Sequence, residues 1–247
     1  MVRYIDIEER ESEILNFIIK SYIEESKPIS SSYLCEKYNL PYSSATIRNI
    51  MESLEKKGFL SHIHTSSGRV PTKKAFKKYA ESIKNEDFIK NYKVSLDFYS
   101  KRFQELEDYL NYILDTLSNL SGYTSLVAFE REEVHLFFKG IRFILEQPEF
   151  EDIRRIKNLF YTLEVKISKL QEILFHYLDE KLTILVGDEI GFEEISDCSL
   201  LVSGTRTEDF AVVLALLGPM RMNYYKAASC LYAIKNELKK IIENFYE

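Results

Sequence analysis

The segment from Ser43 to Gly58 constrains the fold most, because its sequence marks both ends of one helix. Ser43 or Ser44 can cap the first turn, and Gly58 suits the left-handed conformation in which many helices end. Between them, apolar residues recur at the i, i+3, i+4 and i+7 spacing of an amphipathic helix: Ile47, Ile50, Met51 and Leu54. The opposite face then presents small polar groups with one Arg and one Asn: Ser44, Thr46, Arg48, Asn49 and Ser53.

Two more helices are predicted before this one. Residues 7–25 carry apolar side chains on two adjacent helical rows, which predicts an amphipathic helix of about five turns. Pro28 disfavours helix at Lys27, and Ser30 or Ser31 can cap a short second helix that runs through Tyr38. The N-terminal region therefore starts with three successive helices.

A short β-hairpin is predicted next. Residues 59–64 alternate as a strand, residues 65–68 form a turn for which Gly68 supplies conformational freedom, and Arg69 begins a return strand. Pro71 is expected to open the following helix rather than to extend the strand. Three helices and a hairpin form a winged helix-turn-helix, whose third helix enters the major groove while the hairpin, or wing, contacts the DNA backbone or minor groove.

Charge is distributed unevenly along the chain. The formal net charge is -6, yet residues 40–80 hold eight basic and two acidic side chains, a net of +6. A local basic region on an acidic protein is typical of a DNA-contacting module, whereas charge alone also allows a solvated helix face.

The remainder of the chain mixes helical and β-prone runs. Residues 91–120 are predicted as one helix, and alternating strands and helices follow to a long terminal helix. This pattern indicates an α+β domain with a mostly antiparallel sheet. Hydrophobic residues make up 45% of the chain and charged residues 29%, which suits a globular protein with a buried core.

We expect a cytoplasmic protein without a membrane partner. No apolar run approaches the roughly 18 residues that span a bilayer, and the start of the sequence is acidic without a signal-peptide core. The cysteines, Cys35, Cys198 and Cys230, lie far apart and are expected to be reduced and buried.

No enzymatic or metal-dependent chemistry is expected, and no cofactor. His62 and His64 could point the same way along a strand, but no cysteine or carboxylate cluster lies near them in sequence. Residues 197–199 (Asp-Cys-Ser) are expected to serve packing or a turn rather than nucleophilic catalysis. The sequence of residues 218–222 predicts a strand-to-helix turn that places Arg221 near a carboxylate. The alternative is a loop that binds a ligand.

Several contiguous motifs resemble the HrcA family, the heat-inducible transcription repressors of bacterial chaperone operons. SSATIRN, LEKKGFL and HTSSGRVPT resemble the N-terminal domain of that family. GIRFILEQPEFEDIRRIKNLFYTLE, GDEIGFEEISDCSLLVSG and LALLGPMRMNYYKA resemble its C-terminal half, whose regulatory domain is similar to a GAF domain. Only residues 121–140 stand where the family usually carries further strands and an inserted dimerising subdomain, so the chain resembles a short form.

The resemblance implies an α+β fold with three parts. Residues 1–80 would form the winged helix-turn-helix, residues 81–120 a linker or dimerisation helix, and residues 121–247 an abbreviated GAF-like domain. It further implies a homodimer bound to double-stranded DNA at the inverted-repeat CIRCE operator, active with the help of the chaperonin GroEL and released on heat stress. Two alternatives stay open: a ligand-sensing winged-helix regulator whose C-terminal domain binds a metabolite, and a protein-interaction module.

The DNA-contacting residues are expected on the third helix, the wing and the start of the fourth helix. They are Ser43, Ser44, Thr46, Arg48, Asn49, His64, Ser66, Ser67, Gly68, Arg69, Lys73 and Lys74. Arg69 is expected to touch a phosphate or a narrow minor groove, so its removal would weaken binding to every DNA sequence and leave stability almost unchanged.

Overall fold

A computed structural model places most of the chain in helices and strands. It describes residues 7–62, 68–84, 106–130, 133–178, 182–206 and 211–245. The expected α+β class is confirmed, and the chain divides into two compact units, Met1–Ser82 and Ile83–Glu247. In the part of the chain that the structure describes, no helix is long and apolar enough to cross a membrane.

The first unit begins with the three predicted helices and the hairpin. Its elements are α1 (Ile7–Glu25), α2 (Ser31–Tyr38), α3 (Ser44–Lys56), β1 (Leu60–His62), β2 (Arg69–Pro71) and α4 (Lys73–Lys84). The expectation that Pro71 opens α4 is wrong, because Pro71 ends β2 opposite Leu60. Proline has no N–H to donate, but the next backbone hydrogen bond between the strands is donated by the Thr72 amide to the Phe59 carbonyl at 3.0 Å. Pro71 can therefore end the strand.

Serine caps and left-handed residues set the ends of the helices. The Ser30 hydroxyl accepts the Tyr33 amide at 3.2 Å and begins α2, and the Ser43 hydroxyl accepts the Thr46 amide at 3.1 Å and begins α3. Gly58 follows α3 with φ of 77°, the left-handed conformation that the sequence predicts. Of the two candidates Ser43 and Ser44, Ser43 is therefore the N-cap of α3.

The apolar rows of the helices form the core of the first unit. Ile14, Ile18, Leu34 and Ile47 are fully buried, and α3 packs against both α1 and α2. Cys35 was expected to be buried, but it is half-buried, and its thiol donates to the Tyr42 carbonyl at 3.6 Å. It lies at the margin of a helix of eight residues, which buries only one narrow side.

The second unit is built on a five-stranded antiparallel sheet of order β4-β3-β7-β6-β5. Its strands are β3 (Thr124–Glu130), β4 (Val134–Lys139), β5 (Thr183–Val186), β6 (Cys198–Arg206) and β7 (Ala211–Pro219). Its helices are α5 (Leu106–Ser121), α6 (Ile141–Leu145), α7 (Ile153–Glu164), α8 (Ile167–His176) and α9 (Tyr224–Phe245). The strands predicted from the β-prone runs are confirmed.

Helices cover both faces of this sheet. On one face the Ser125 hydroxyl donates to the Leu114 carbonyl of α5 at 2.7 Å, and Lys235 of α9 contacts the Ser203 hydroxyl at 3.0 Å. On the other face, residues of β3, β6 and β7 share one apolar cluster with α6, α7 and α8. Every residue of β7 is buried, which explains its continuous apolar sequence.

The described part of residues 81–120 includes a packed helix of the second unit. The apolar side of α5 is at most 1% exposed and contacts β3, β4 and α9: Tyr109, Leu110, Ile113, Leu114 and Leu117. This side is therefore occupied within the subunit, and residues 91–105 of the predicted helix lie outside the described residues.

Candidate nucleic-acid interface

The solvent side of α3 carries three exposed polar side chains, two of which have no partner among the described residues. Thr46, Arg48 and Asn49 are exposed, as the helical pattern predicts. No described residue pairs with the side chain of Arg48 or Asn49 by a hydrogen bond or a salt bridge. We call Thr46, Arg48 and Asn49 the exposed face of α3; its groups are available to a molecule from outside the chain.

Ser43 and Ser44 lie at the start of α3 and have bonds of their own. Ser43 caps the helix, and its hydroxyl also contacts the Thr46 hydroxyl at 2.9 Å. The half-buried Ser44 contacts the Ser31 hydroxyl at 2.9 Å, which joins the first turns of α2 and α3. These two serines thus fix the direction in which α3 leaves α2.

Ser53 does not lie on the exposed face, contrary to the sequence prediction. Its hydroxyl donates to the Glu11 carboxylate of α1 at 2.6 Å, and Lys57 donates to the other Glu11 oxygen at 2.5 Å. The hydrogen bond from Lys57 and then that from Ser53 lower the pKa of Glu11. Because α1 packs along this side of α3, Ser53 serves the contact between the two helices.

Glycine is required at position 68 because the backbone of Ile29 lies very close to it. The Ile29 amide donates to the Arg69 carbonyl at 2.9 Å, and the Arg69 amide donates to the Ile29 carbonyl at 2.8 Å. A Cβ atom on Gly68 would lie 2.3 Å from the Ile29 carbonyl oxygen, closer than any real contact. The φ of Gly68 lies outside the left-handed region, so it is this lack of space that requires glycine. The predicted turn before Gly68 lies outside the described residues.

One carboxylate connects both strands of the hairpin to α3. Arg69 donates from Nε to Glu55 at 2.8 Å, and His62 Nε2 lies 3.0 Å from the other Glu55 oxygen. His62 and Arg69 are a cross-strand pair of the hairpin, so Glu55 contacts both residues of that pair. The Arg69 side chain is only 15% exposed, and no local sequence pattern identifies Glu55 as its partner. We call Ile29, Glu55, His62, Gly68 and Arg69 the hairpin anchor.

A cleft of about 380 Å³ lies between the hairpin anchor and α3. The residues that line it are Ile29, Ser30, Ser31, Ser32, Arg48, Met51, Glu52, His62, Gly68 and Arg69. Sequence reasoning placed Arg48, Gly68 and Arg69 at a DNA surface, and the structure brings these three together. It did not find the serines of α2, which lie 16 or more positions before Arg48 in the sequence.

Lys73 and Lys74 lie near the other end of α3. Lys74 donates to the Lys57 carbonyl at 2.8 Å and lies over the Phe59 ring at 4.6 Å, whereas Lys73 is half-buried. Lys57 follows Ser43 by about 20 Å of helix, so the structure does not bring Lys74 together with the first turn of α3. His64, Ser66 and Ser67 lie outside the described residues.

The second unit places its singled-out residues in structural roles. Arg221 donates to Glu149 at 2.6 Å and to Gln147 at 2.9 Å, which confirms the predicted turn with a carboxylate partner. Burial raises the pKa of the Cys198 thiol to about 12, and Ser199 is bonded to the Tyr224 hydroxyl at 2.7 Å. Neither group is an activated nucleophile. Among the described residues, no three His, Cys, Asp or Glu side chains lie together as a metal site.

Comparison with known proteins identifies relatives of both units. The family model of the HrcA protein C-terminal domain matches residues 90–227. The heat-inducible transcription repressor HrcA of Bacillus pumilus is 24% identical over 336 aligned positions, which cover 95% of this chain and 97% of the relative. The same-named protein of Prosthecochloris aestuarii is 31% identical over 211 positions, 80% of this chain and 59% of the relative.

The first alignment is longer than the chain, which has 247 residues. The Bacillus relative therefore contains residues without a counterpart here, in agreement with a short form. A crystal structure of a hypothetical protein at 2.2 Å resolution matches with a TM-score of 0.76 at 19% identity, covering 94% of this chain and 96% of that one. This likeness shows a shared fold.

Proposed function

Since the chain belongs to the HrcA family, we propose that it is a heat-inducible transcription repressor that acts on chaperone operons. The observation that carries this proposal is the family match over residues 90–227. Relatives that align over nearly their whole length are named as such repressors. The proposed activity is binding and release of DNA, without a chemical step or a cofactor.

The first unit would bind DNA as a winged helix-turn-helix, with its domain at residues 1–80. In this arrangement α2 braces α3, and α3 lies in the major groove with Thr46, Arg48 and Asn49 toward the DNA. The exposed face of α3 supports this placement, because a side chain such as Asn49 can bond a base edge when no internal partner competes. The hairpin would act as the wing, and His64, Ser66 and Ser67 stay proposed DNA contacts by their position in the sequence between β1 and β2.

The operator would be the inverted repeat CIRCE, bound by a homodimer. A single recognition helix reads one half-site, so a two-fold protein matches a two-fold operator. The apolar side of α5 is buried within the subunit and does not provide the interface. The interface would therefore use other surfaces of the second unit. Among its described residues, the exposed large apolar side chains are Val134, Ile153, Tyr161, Val165 and Tyr225.

The second unit would serve regulation. We infer an abbreviated GAF-like domain at residues 121–247, supported by the antiparallel sheet between two helical layers. Residues 81–120 would lead into this domain, and their helix α5 packs on its sheet. The chaperonin GroEL would assist folding of the repressor, and heat would divert GroEL to other unfolded proteins. The repressor would then leave the operator, and as a DNA-binding protein it would act in the cytoplasm.

A titration with two DNA duplexes tests the proposal. The full chain is titrated into a CIRCE duplex and a scrambled duplex of equal composition at physiological salt. We expect binding to CIRCE to be tighter by at least about 10³-fold, with two chains per duplex. Equal binding to both duplexes would refute the proposal. One chain per duplex with intact selectivity would refute the homodimer alone.

GroEL assistance has a separate test. Denatured chain is diluted into buffer with or without GroEL, its co-chaperonin and ATP, and the recovered CIRCE-binding activity is measured. We expect a higher recovery with the chaperonin than without it. A second unfolded protein that competes for the chaperonin is expected to reduce that gain. Equal recovery in all three samples would contradict the proposed partner.

A further inference from the structure

The cleft beside α3 combines donors from three parts of the first unit. Arg48 lines it from α3, Ser30 and Ser32 line it from the start of α2, and most of the hairpin anchor lines another side. None of the α2 serines belongs to the expected DNA-contacting set. Their position next to Arg48 bears on what Arg48 itself contacts.

The serines of α2 have hydrogen-bond donors to offer. The Ser30 and Ser32 hydroxyls are 3.1 Å apart, and one proton between them is enough for this contact. The second proton is left to donate to a third group. Ser31 and Ser32 are also the first two residues of α2, so their amides have no carbonyl acceptor within the helix.

Arg48 is the cation of the cleft whose charge is not neutralised by a described residue. Arg69, the other guanidinium in the lining, is paired with Glu55. Glu52 also lines the cleft and opposes an anion there, but no described residue forms a salt bridge with Glu52. One free guanidinium beside hydroxyls and amides is a donor set for a tetrahedral oxyanion, whereas a base edge is planar and presents acceptors in pairs.

We propose that this cleft holds one backbone phosphate of the operator, with Arg48 as its cationic contact and Ser32 as its hydroxyl donor. This inference rests on the proposed function, because the phosphate belongs to the bound DNA. Arg48 then positions α3 on the duplex, and sequence is read by Thr46 and Asn49 of the same face. Phosphate contacts set register and carry no sequence information of their own.

The test separates a phosphate contact from a base contact. The full chain and its Arg48→Ala variant are titrated with the CIRCE duplex and the scrambled duplex at several salt concentrations. We expect Arg48→Ala to weaken both duplexes by about tenfold and to lower the salt slope by about 0.9. The ratio of the two affinities stays unchanged. Arg48→Lys restores the slope, because the slope depends on the number of phosphates that a cation neutralises, and lysine keeps the charge.

Two further variants complete the design. Ser32→Ala is expected to weaken both duplexes by up to about tenfold, since it removes one hydrogen bond from a hydroxyl to an anionic phosphate oxygen. Lys56→Ala is the matched control, because Lys56 is an exposed cation of α3 that does not line the cleft. We expect it to change either affinity by less than about twofold.

Three results would overturn the proposal. The first is a tenfold fall in the CIRCE-to-scrambled ratio for Arg48→Ala without rescue by Arg48→Lys, which would assign Arg48 to a base. The second is an unchanged salt slope. The third is an equal loss in Lys56→Ala, which would indicate only general charge. A wild-type chain without preference for CIRCE fails the proposed function instead, and the slope on scrambled DNA still tests the cleft.

Discussion

Two neighbouring surfaces of the first unit differ in how their polar groups are used. On the exposed face of α3, Arg48 and Asn49 have no described partner inside the chain. In the hairpin anchor, the backbones of Ile29 and Arg69 form hydrogen bonds with each other, and the Glu55 carboxylate contacts the side chains of both Arg69 and His62. Substitution should therefore affect DNA binding on the first surface and folding on the second, although Arg48 lines the same cleft as most of the hairpin anchor.

The largest effect is expected from Gly68→Ala in the hairpin anchor. The new Cβ would meet the Ile29 carbonyl oxygen at 2.3 Å, so the hairpin or the Ile29 segment must move. We expect a loss of about 3 kcal/mol in the free energy of unfolding, measured by urea titration of the full chain.

Gly58→Asn provides the matched control for that substitution. Gly58 has φ of 77° with no atom near its would-be Cβ, and asparagine tolerates this conformation. We expect a loss below about 1 kcal/mol. If Gly68→Ala proved as mild as Gly58→Asn, the close approach to Ile29 would not stabilise the unit.

Arg69→Ala is expected to lose about 1–2 kcal/mol of stability, because it removes a charged donor from the half-buried Glu55 carboxylate. This revises the expectation from sequence, which assigned Arg69 to DNA alone. The measurement is urea unfolding beside Arg48→Ala, whose removed side chain has no described partner and should cost less than about 0.5 kcal/mol. Equal losses in the two variants would erase the difference between the two surfaces.

Ser43→Ala tests whether Ser43, an expected DNA contact, also stabilises the fold. Its hydroxyl accepts the Thr46 amide, so we expect the loss of a helix cap to cost about 1 kcal/mol. Ser43→Asn should retain most of the stability, because asparagine also caps helices well. If both variants were as stable as the wild type, Ser43 would be free to serve DNA alone.

The smallest effect concerns acid stability through Glu11. Its pKa is lowered in the folded chain by hydrogen bonds from Lys57 and Ser53, so its ionised form favours folding. This stability is fully present above the ordinary glutamate value of 4.5 and is lost as pH falls through the lowered pKa. Wild type and Glu11→Gln should differ by less than about 1 kcal/mol at neutral pH and converge in acid. A constant difference from pH 7 to 3.5 would contradict the role of the Glu11 charge.

Local patterns in the sequence predicted most of the fold. The caps Ser30 and Ser43, the left-handed Gly58 and the apolar periodicity each act within a few residues, so α1, α2 and α3 were correctly placed. The paired strands of the second unit followed from their continuous apolar runs. Arg221 was rightly expected near a carboxylate, although the sequence did not identify Glu149 as that carboxylate.

Contacts between distant residues were not predictable in the same way. Helical spacing places Ser53 on the face opposite the apolar row, and it does not show that α1 covers that side and supplies Glu11. The Ile29–Arg69 bonds join residues 40 positions apart, and no local signal marks either partner. From the local sequence Gly68 is therefore predicted only as a turn residue, and nothing in that sequence identifies Glu55 as the partner of Arg69.

The central claim is that the exposed face of α3 reads the operator, and Asn49→Ala tests it most directly. Asn49 has no described partner in the chain, so its removal should leave the unfolding free energy unchanged. The measured quantity is the ratio of affinities for the CIRCE and scrambled duplexes at one salt concentration. We expect Asn49→Ala to lose about 1–3 kcal/mol on CIRCE and almost nothing on scrambled DNA. An unchanged ratio in a folded variant that still binds DNA would contradict the claim.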